Sequence, residues 1–287
     1  MDYTLTITSA LTLPIVVDQH HLEFRLMPAT AAHQSPHGFA LELTPAAHSH
    51  FAYIDGLGNQ VHASSVFAEH EHLIARATCT VSSTLDNPFE FAAIAANREV
   101  AWLDDALRAK PRLFQFLLHR SALTEAPPSF PAPGPVGSTS SMVLVRQAMA
   151  EVAERVEHVA TTTGAPRDLE AVLASGNAST EEMSHLLIAL VRAIGLPARF
   201  VRGALDPRCR HPDDPDEIVR APHAWMEALI PGAGWRGFDP SYQVVVDRHY
   251  LSLGIGREAS DTRPVRSWCP GNRAGQGLTT EIELEAV

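Results

Sequence analysis

The chain has 287 residues and 45% hydrophobic content, enough for one large domain or two modest ones with a packed core, and too apolar for a disordered segment. A formal net charge of −11 argues against nucleic acid and against anionic lipid surfaces as partners. Cys79, Cys209 and Cys269 are odd in number, widely spaced and without a CxxC, which excludes a disulfide framework or a cysteine–zinc site. Lys110 is the only lysine, a feature read as codon bias. No run reaches membrane-span length, and Met1-Asp2-Tyr3-Thr4 opens neither a basic nor an apolar leader, so the expected location is the cytoplasm.

Residues 3–17 are rich in Thr, Ile, Leu and Val with partial alternation and read as a strand. Further strands are expected at 21–27, 38–44, 50–54, 60–67 and 72–82, with Asp55-Gly56-Leu57-Gly58-Asn59 as a turn. Short strands at this spacing define an antiparallel β unit over 1–86. From Asn87-Pro88 to about His119 the pattern turns helical, with Pro111 starting a second segment. The proline-rich stretch near 126–140 is a loop.

Met142, Val145, Met149, Val152, Val156 and Val159 form one stripe and predict a helix over 141–159. Met183, Leu186, Leu187, Leu190, Val191 and Ile194 predict another over 180–194, ended by Gly195 and Pro197. Ala198 to Ala204 reads as a strand, 206–219 as a polar loop, and 223–230 with 235–239 as two strands around Pro231-Gly232-Ala233-Gly234. The tail after Tyr242 is mixed and weakly patterned.

The informative stretch is 176–242. It holds Ser179-Thr180-Glu181-Glu182-Met183-Ser184-His185-Leu186 at a helix start, then Gly195-Leu196-Pro197-Ala198-Arg199, His223-Ala224-Trp225 and Gly234-Trp235 through Asp239-Pro240. In this order and spacing the motifs resemble the bacterial branch of the transglutaminase-like superfamily, which has a papain-like fold. The match covers most of 140–245, and the N-terminal region, through His21-Leu22-Glu23-Phe24-Arg25 and Asp55-Gly56-Leu57-Gly58-Asn59, resembles the family's usual β region. The resemblance implies an α+β protein: an N-terminal antiparallel β domain over 1–86, then a transglutaminase-like core over 87–287 with helices packed on an antiparallel sheet. It also implies a Cys-His-Asp triad, with His223 as the histidine and Asp239 as the aspartate. The nucleophile position falls on Thr180.

A nucleophile at a helix N-terminus sits beside unsatisfied N–H groups and the positive end of the dipole, which stabilises a thiolate. A histidine then completes the activation and an aspartate fixes its tautomer. A hydroxyl is far less acidic than a thiol, and the helix terminus contributes only about 1 kcal/mol. Two readings therefore stand for the site of Thr180, His223 and Asp239. In one the protein is a pseudoenzyme that binds a peptide or protein partner, or supports a partner enzyme. In the other it is a hydrolase or acyltransferase using Thr180 or Ser179, with His223 as base and Asp239 as orienter. A third has Cys209 swing in as nucleophile from its loop.

Plainer roles are also open. Ser179-Thr180-Glu181-Glu182 fits a capping box, with Ser179 capping and Glu182 reaching back. Asp239 before Pro240 can simply start a turn. His185 suits packing or hydrogen bonding, and Trp225 and Trp235 suit core or cleft walls. Nine of the 15 histidines occur by residue 72, and His70/His72, His48/His50 and His20/His21 are candidate same-strand metal pairs. Their spacing matches no zinc motif, so structural roles are expected. The acidic run 213–217 reads as a solvated loop. No cofactor and no metal is expected.

Overall fold

The structure is a computed structural model and describes residues 1–159, 165–206, 221–270 and 277–287. The alternation at the N-terminus becomes strand β1 (Asp2–Val17), which turns Tyr3, Leu5, Ile7 and Leu11 inward. It is followed by β2 (His20–Phe24), β3 (Gln34–Thr44), β4 (Ser49–Ile54), β5 (Gln60–Val66) and β6 (His70–Ser83). These are the six strands expected from the sequence, with ends shifted by a few residues.

They divide between two antiparallel four-stranded sheets, completed from the far end of the chain. One has the order β15-β1-β6-β3, where β15 is Gly277–Ala286. The other has the order β14-β2-β5-β4, where β14 is Val265–Trp268. Val265–Trp268 and Gly277–Ala286, expected from the sequence to belong to the second unit, therefore supply strands to the N-terminal sheets. The pairing of β15 with β1 runs in register from Tyr3↔Ala286 to Thr12↔Gly277. Weak alternation hid both strands, because their neighbours bury only one face and β15 is largely exposed along its length.

The helices are α1 (Ala96–Ala109), α2 (Phe114–Leu118), α3 (Ser141–Arg155), α4 (Leu169–Ser175) and α5 (Thr180–Ala193). Residues 87–95, expected to be helical, form turns and extended chain before α1. Helix α3 stops at Arg155, four residues earlier than its apolar stripe suggests. Glu157–His158 instead form β7, paired in parallel with β8 (Asn177–Ala178). Short segments such as α4, β7 and β8 offer too few residues for periodicity to register.

A third, five-stranded antiparallel sheet carries the site. Its order is β12-β11-β10-β9-β13, with β9 Ala198–Leu205, β10 His223–Ile230, β11 Gly234–Asp239, β12 Val244–Val245 and β13 Tyr250–Gly256. Helix α5 lies on the face presenting Ala198, Phe200, Ala224, Met226, Ala228 and Phe238. The chain is thus an α+β protein whose central helix is sandwiched between this sheet and helices α3 and α4. The opposite face holds Val201, Leu205, Trp225, Val246 and Tyr250.

On that opposite face Gly203 sits across from His223 in the β9–β10 register. A Cβ at Gly203 would lie 2.2 Å from the Leu251 carbonyl oxygen and 2.3 Å from Trp225 Cη2. Only glycine lets the indole of Trp225 lie flat across β9. Overpacking of this kind costs about 1–3 kcal/mol, so Gly203→Ala is expected to lower the urea unfolding midpoint by at least that equivalent. An unchanged midpoint would show that the Trp225 ring is not fixed there.

Candidate functional site

Helix α5 starts where the sequence places it, and the way it starts decides what its first residues can do. Ser179 is the N-cap: its hydroxyl accepts the N–H of Glu182 at 3.2 Å, and the Glu182 carboxylate accepts the Ser179 N–H at 2.9 Å. This is the expected capping box. Arg167 closes on the same carboxylate, its Nε donating to Oε1 at 2.8 Å and Nη2 to Oε2 at 2.9 Å. Burial alone would push the Glu182 carboxyl up. The Arg167 guanidinium and the backbone donors outweigh it and hold the group at about 2.

Thr180 is thereby the first helical residue. It is partly exposed, and its carbonyl accepts the Ser184 hydroxyl at 2.7 Å. Among the described residues no group hydrogen-bonds to its side-chain hydroxyl. Glu181 points to the sheet, where Arg202 pairs with it at 2.6 Å.

His223 opens β10 and Asp239 closes β11, and the tight turn between the two strands brings them together as expected. His223 Nε2 donates to Asp239 Oδ2 at 2.7 Å, and both residues are buried. A carboxylate at Nε2 fixes that nitrogen as the protonated one and leaves the lone pair on Nδ1, so the imidazole is oriented as a base. Asp239 is more than a turn former. Its Oδ2 also accepts the Tyr250 hydroxyl at 2.8 Å, and its Oδ1 accepts the Ser241 N–H at 2.9 Å and hydroxyl at 2.6 Å. Burial pushes this carboxyl up, but His223, Ser241 and Tyr250 together keep it below its ordinary value.

Aromatic rings wall the imidazole. Trp225 stacks at 6.2 Å, Tyr242 lies 5.7 Å away and Tyr250 6.0 Å away, centroid to centroid. Trp225 is fully buried, as a core residue should be. Trp235 instead lies under the Arg199 guanidinium at 4.1 Å, with Arg199 paired to Glu227.

A chain of contacts ties the start of α5 to this pair. His158 in β7 is the register partner of Ala178, two residues before Thr180. Its ring is 6.5 Å from Tyr242, which in turn neighbours His223. Burial, and then the proximity of His223, lowers the pKa of His158. The helix start, His158, Tyr242, His223 and Asp239 therefore occupy one region. Tyr250, Ser241, Tyr242 and His158 were not singled out in the sequence. The position of Ser241 two residues after Asp239 was the one available signal, since Asp-Pro-Ser is a turn pattern in which the carboxylate accepts local donors.

The other candidates sort differently. His185 is fully buried, accepts the Ala259 N–H at Nε2 (3.0 Å) and packs on Phe200, while burial pushes its pKa down to about 4. That is a packing and hydrogen-bonding role. Cys79 lies in β6 within the N-terminal core, where burial pushes its thiol up, and Cys269 follows β14. Neither is on an element that carries His223 or Asp239. Cys209 and the acidic run 213–217 lie outside the described residues. The histidines pair across strands, not along them: His20 Nδ1 meets His70 Nε2 at 2.8 Å, and His62 Nδ1 meets His50 Nε2 at 3.1 Å. Among the described residues no three His, Cys, Asp or Glu side chains gather to hold a metal.

Known proteins give the same frame. Residues 136–240 match the transglutaminase-like superfamily, and residues 7–82 match the bacterial transglutaminase-like N-terminal region. The chain belongs to the transglutaminase-like superfamily, in its bacterial two-part form. An uncharacterized protein of Mycobacterium leprae is 26% identical over 90% of this chain and 88% of its own. One from Mycobacterium tuberculosis is 25% identical over 60% of this chain, a match that spans 56% of that relative. A crystal structure of a candidate cysteine protease from Cytophaga hutchinsonii superposes with a TM-score of 0.63 at 16% identity, covering 99% of this chain and 90% of that one, a likeness of fold.

The buried pair makes a pH prediction. A carboxyl whose folded pKa is depressed contributes stability that is present above its unfolded value of 3.8 and is lost as pH falls below it. Asp239→Asn is expected to destabilise the protein at neutral pH by about 1.5–3 kcal/mol, because the hydrogen bonds from His223, Tyr250 and Ser241 lose their charged acceptor. It should also flatten the acid limb of the stability curve, as followed by denaturant unfolding between about pH 5 and pH 3. A variant with the wild-type acid limb would show that Asp239 is not the carboxylate described.

Proposed function

We propose that this chain is a transglutaminase-like pseudoenzyme that binds a peptide or protein partner at the His223 site and does not form an acyl intermediate. The observation that carries the reading is Thr180 as the first residue of α5, where the family resemblance puts the thiol. About 1 kcal/mol from the helix terminus is less than one pKa unit, at ~1.4 kcal/mol per unit. It cannot ionise a hydroxyl, though it would assist a thiol. The β-methyl of threonine further restricts its side-chain torsion.

The retained His223–Asp239 pair favours a second reading, in which Thr180 acts through a true general base as serine enzymes do, giving amide or peptide hydrolysis or acyl transfer. Ser179 is the weaker nucleophile of the two, since its oxygen is occupied as the N-cap acceptor.

Thr180→Cys tests the first reading. In the proposed site the new thiol meets a helix N-terminus and an oriented imidazole, so its pKa should fall below the ordinary value of about 8.5. Alkylation rate against pH should show this shift, and His223→Ala in the same background should abolish it. An introduced thiol that titrates at its ordinary value would mean that position 180 does not face His223, and that the nucleophile assignment is wrong.

A further inference from the structure

Far from His223, the edge strand β4 is built as an association site. It is the terminal strand of the order β14-β2-β5-β4, and among the described residues no strand pairs with its outer side. Natural edge strands are blunted by charge, proline or bulges. Ser49-His50-Phe51-Ala52-Tyr53-Ile54 has no proline, no glycine and no Asp, Glu, Lys or Arg, and its register with β5 is unbroken. The strand is also bare on both faces. Phe51 is 61% exposed on one and Ile54 69% exposed on the other, among the most exposed large apolar side chains of the molecule.

The strand is nonetheless held in shape. Phe51 stacks on Tyr53 at 6.1 Å, and the Tyr53 hydroxyl donates to Glu23 at 2.6 Å. Just past its end, the Asp55 N–H bonds the Asn59 carbonyl, which continues the β4–β5 register. Odd-numbered residues thus bond β5, and His50, Ala52 and Ile54 turn their backbone groups outward.

We propose that β4 pairs antiparallel with β4 of a second copy across a two-fold axis, joining the two four-stranded sheets into one. A strand edge can pair with itself isologously only in this way. Full overlap of the outward groups puts Ala52 on the axis, His50 opposite the partner's Ile54 and Phe51 opposite the partner's Tyr53. That last pairing is a favourable aromatic cross-strand contact. The contact adds no repulsion of its own to the −11 that each copy carries, because β4 brings no Asp, Glu, Lys or Arg to it.

Sedimentation velocity of the full chain over a concentration series tests this. The expected species is a dimer of twice the 31.1 kDa chain mass. Ala52→Lys sets two like charges facing each other on the axis and should weaken the dimer at least tenfold, with an unchanged thermal unfolding profile of the monomer. Ile74→Lys, at an exposed position of β6, should leave the dimer intact. Ala52→Cys should yield a covalent dimer under oxidising conditions that the wild type does not, since paired Cα atoms about 5.5 Å apart are within disulfide reach. A wild type that stays monomeric at every concentration, or a dimer indifferent to Ala52→Lys, overturns the proposal.

Discussion

A helix buried along nearly its whole length must satisfy its end groups with protein, because water cannot reach them. Helix α5 is that helix here, with every residue from Glu182 to Arg192 buried. Its N-terminus is closed by the Ser179–Glu182 box and by Arg167, which bonds the same Glu182 carboxylate. Its last turn carries Arg192, whose guanidinium donates to the carbonyls of Phe116, His119, Ala198 and Arg257. Burial pushes that guanidinium down to about 9, so it stays charged at neutral pH and ties α2, β9 and the turn after β13 to the helix. Both ends are fixed, and the residue at the start of α5 is fixed with them.

This constraint separates the folding of the site from the identity of residue 180. The clamp at the N-terminus uses Ser179, Glu182 and Arg167 and makes no demand on residue 180. The carboxylate of Asp239 is held by His223, Tyr250 and Ser241, and all of these lie on the sheet and its following turn. Neither half needs a sulfur atom to fold. In the proposed reading, threonine at position 180 therefore costs the scaffold little, since the clamp at the start of α5 does not involve its side chain. Conversely, the pair His223–Asp239 cannot be lost cheaply, because a buried carboxylate without its partners is expensive. Its presence is as much a requirement of packing as a sign of catalysis.

The legible parts of the sequence were those with a strong local period or a motif with a mechanism. The N-terminal strands alternate, α5 has a wide apolar face bounded by a capping box and Gly195-Leu196-Pro197, and β10 and β11 flank a glycine-rich turn. His223 and Asp239 followed from the family's order of motifs, and their contact followed from strand adjacency. Tyr250, which holds the carboxylate, is eleven residues on in a tail with weak patterning, and only the β13–β9 pairing brings it back. His158 reaches the site through a two-residue parallel bridge that no periodicity could announce. The return of β14 and β15 to the first two sheets is likewise a long-range pairing, invisible to local pattern. The histidine contacts were also hidden from local pattern: His20 of β2 meets His70 of β6 in the other sheet, and His50 meets His62 across β4 and β5.

Whether the hydroxyl at position 180 can take an acyl group separates a binding protein from an enzyme. Intact-protein mass spectrometry of the wild type, after exposure to activated esters and peptide amides, reads this directly. The expected spectrum is the unmodified mass under all donors, with bound peptide recovered unchanged. An acyl adduct mapped to Thr180 and absent from His223→Ala would contradict the pseudoenzyme reading and make the protein a threonine-dependent enzyme.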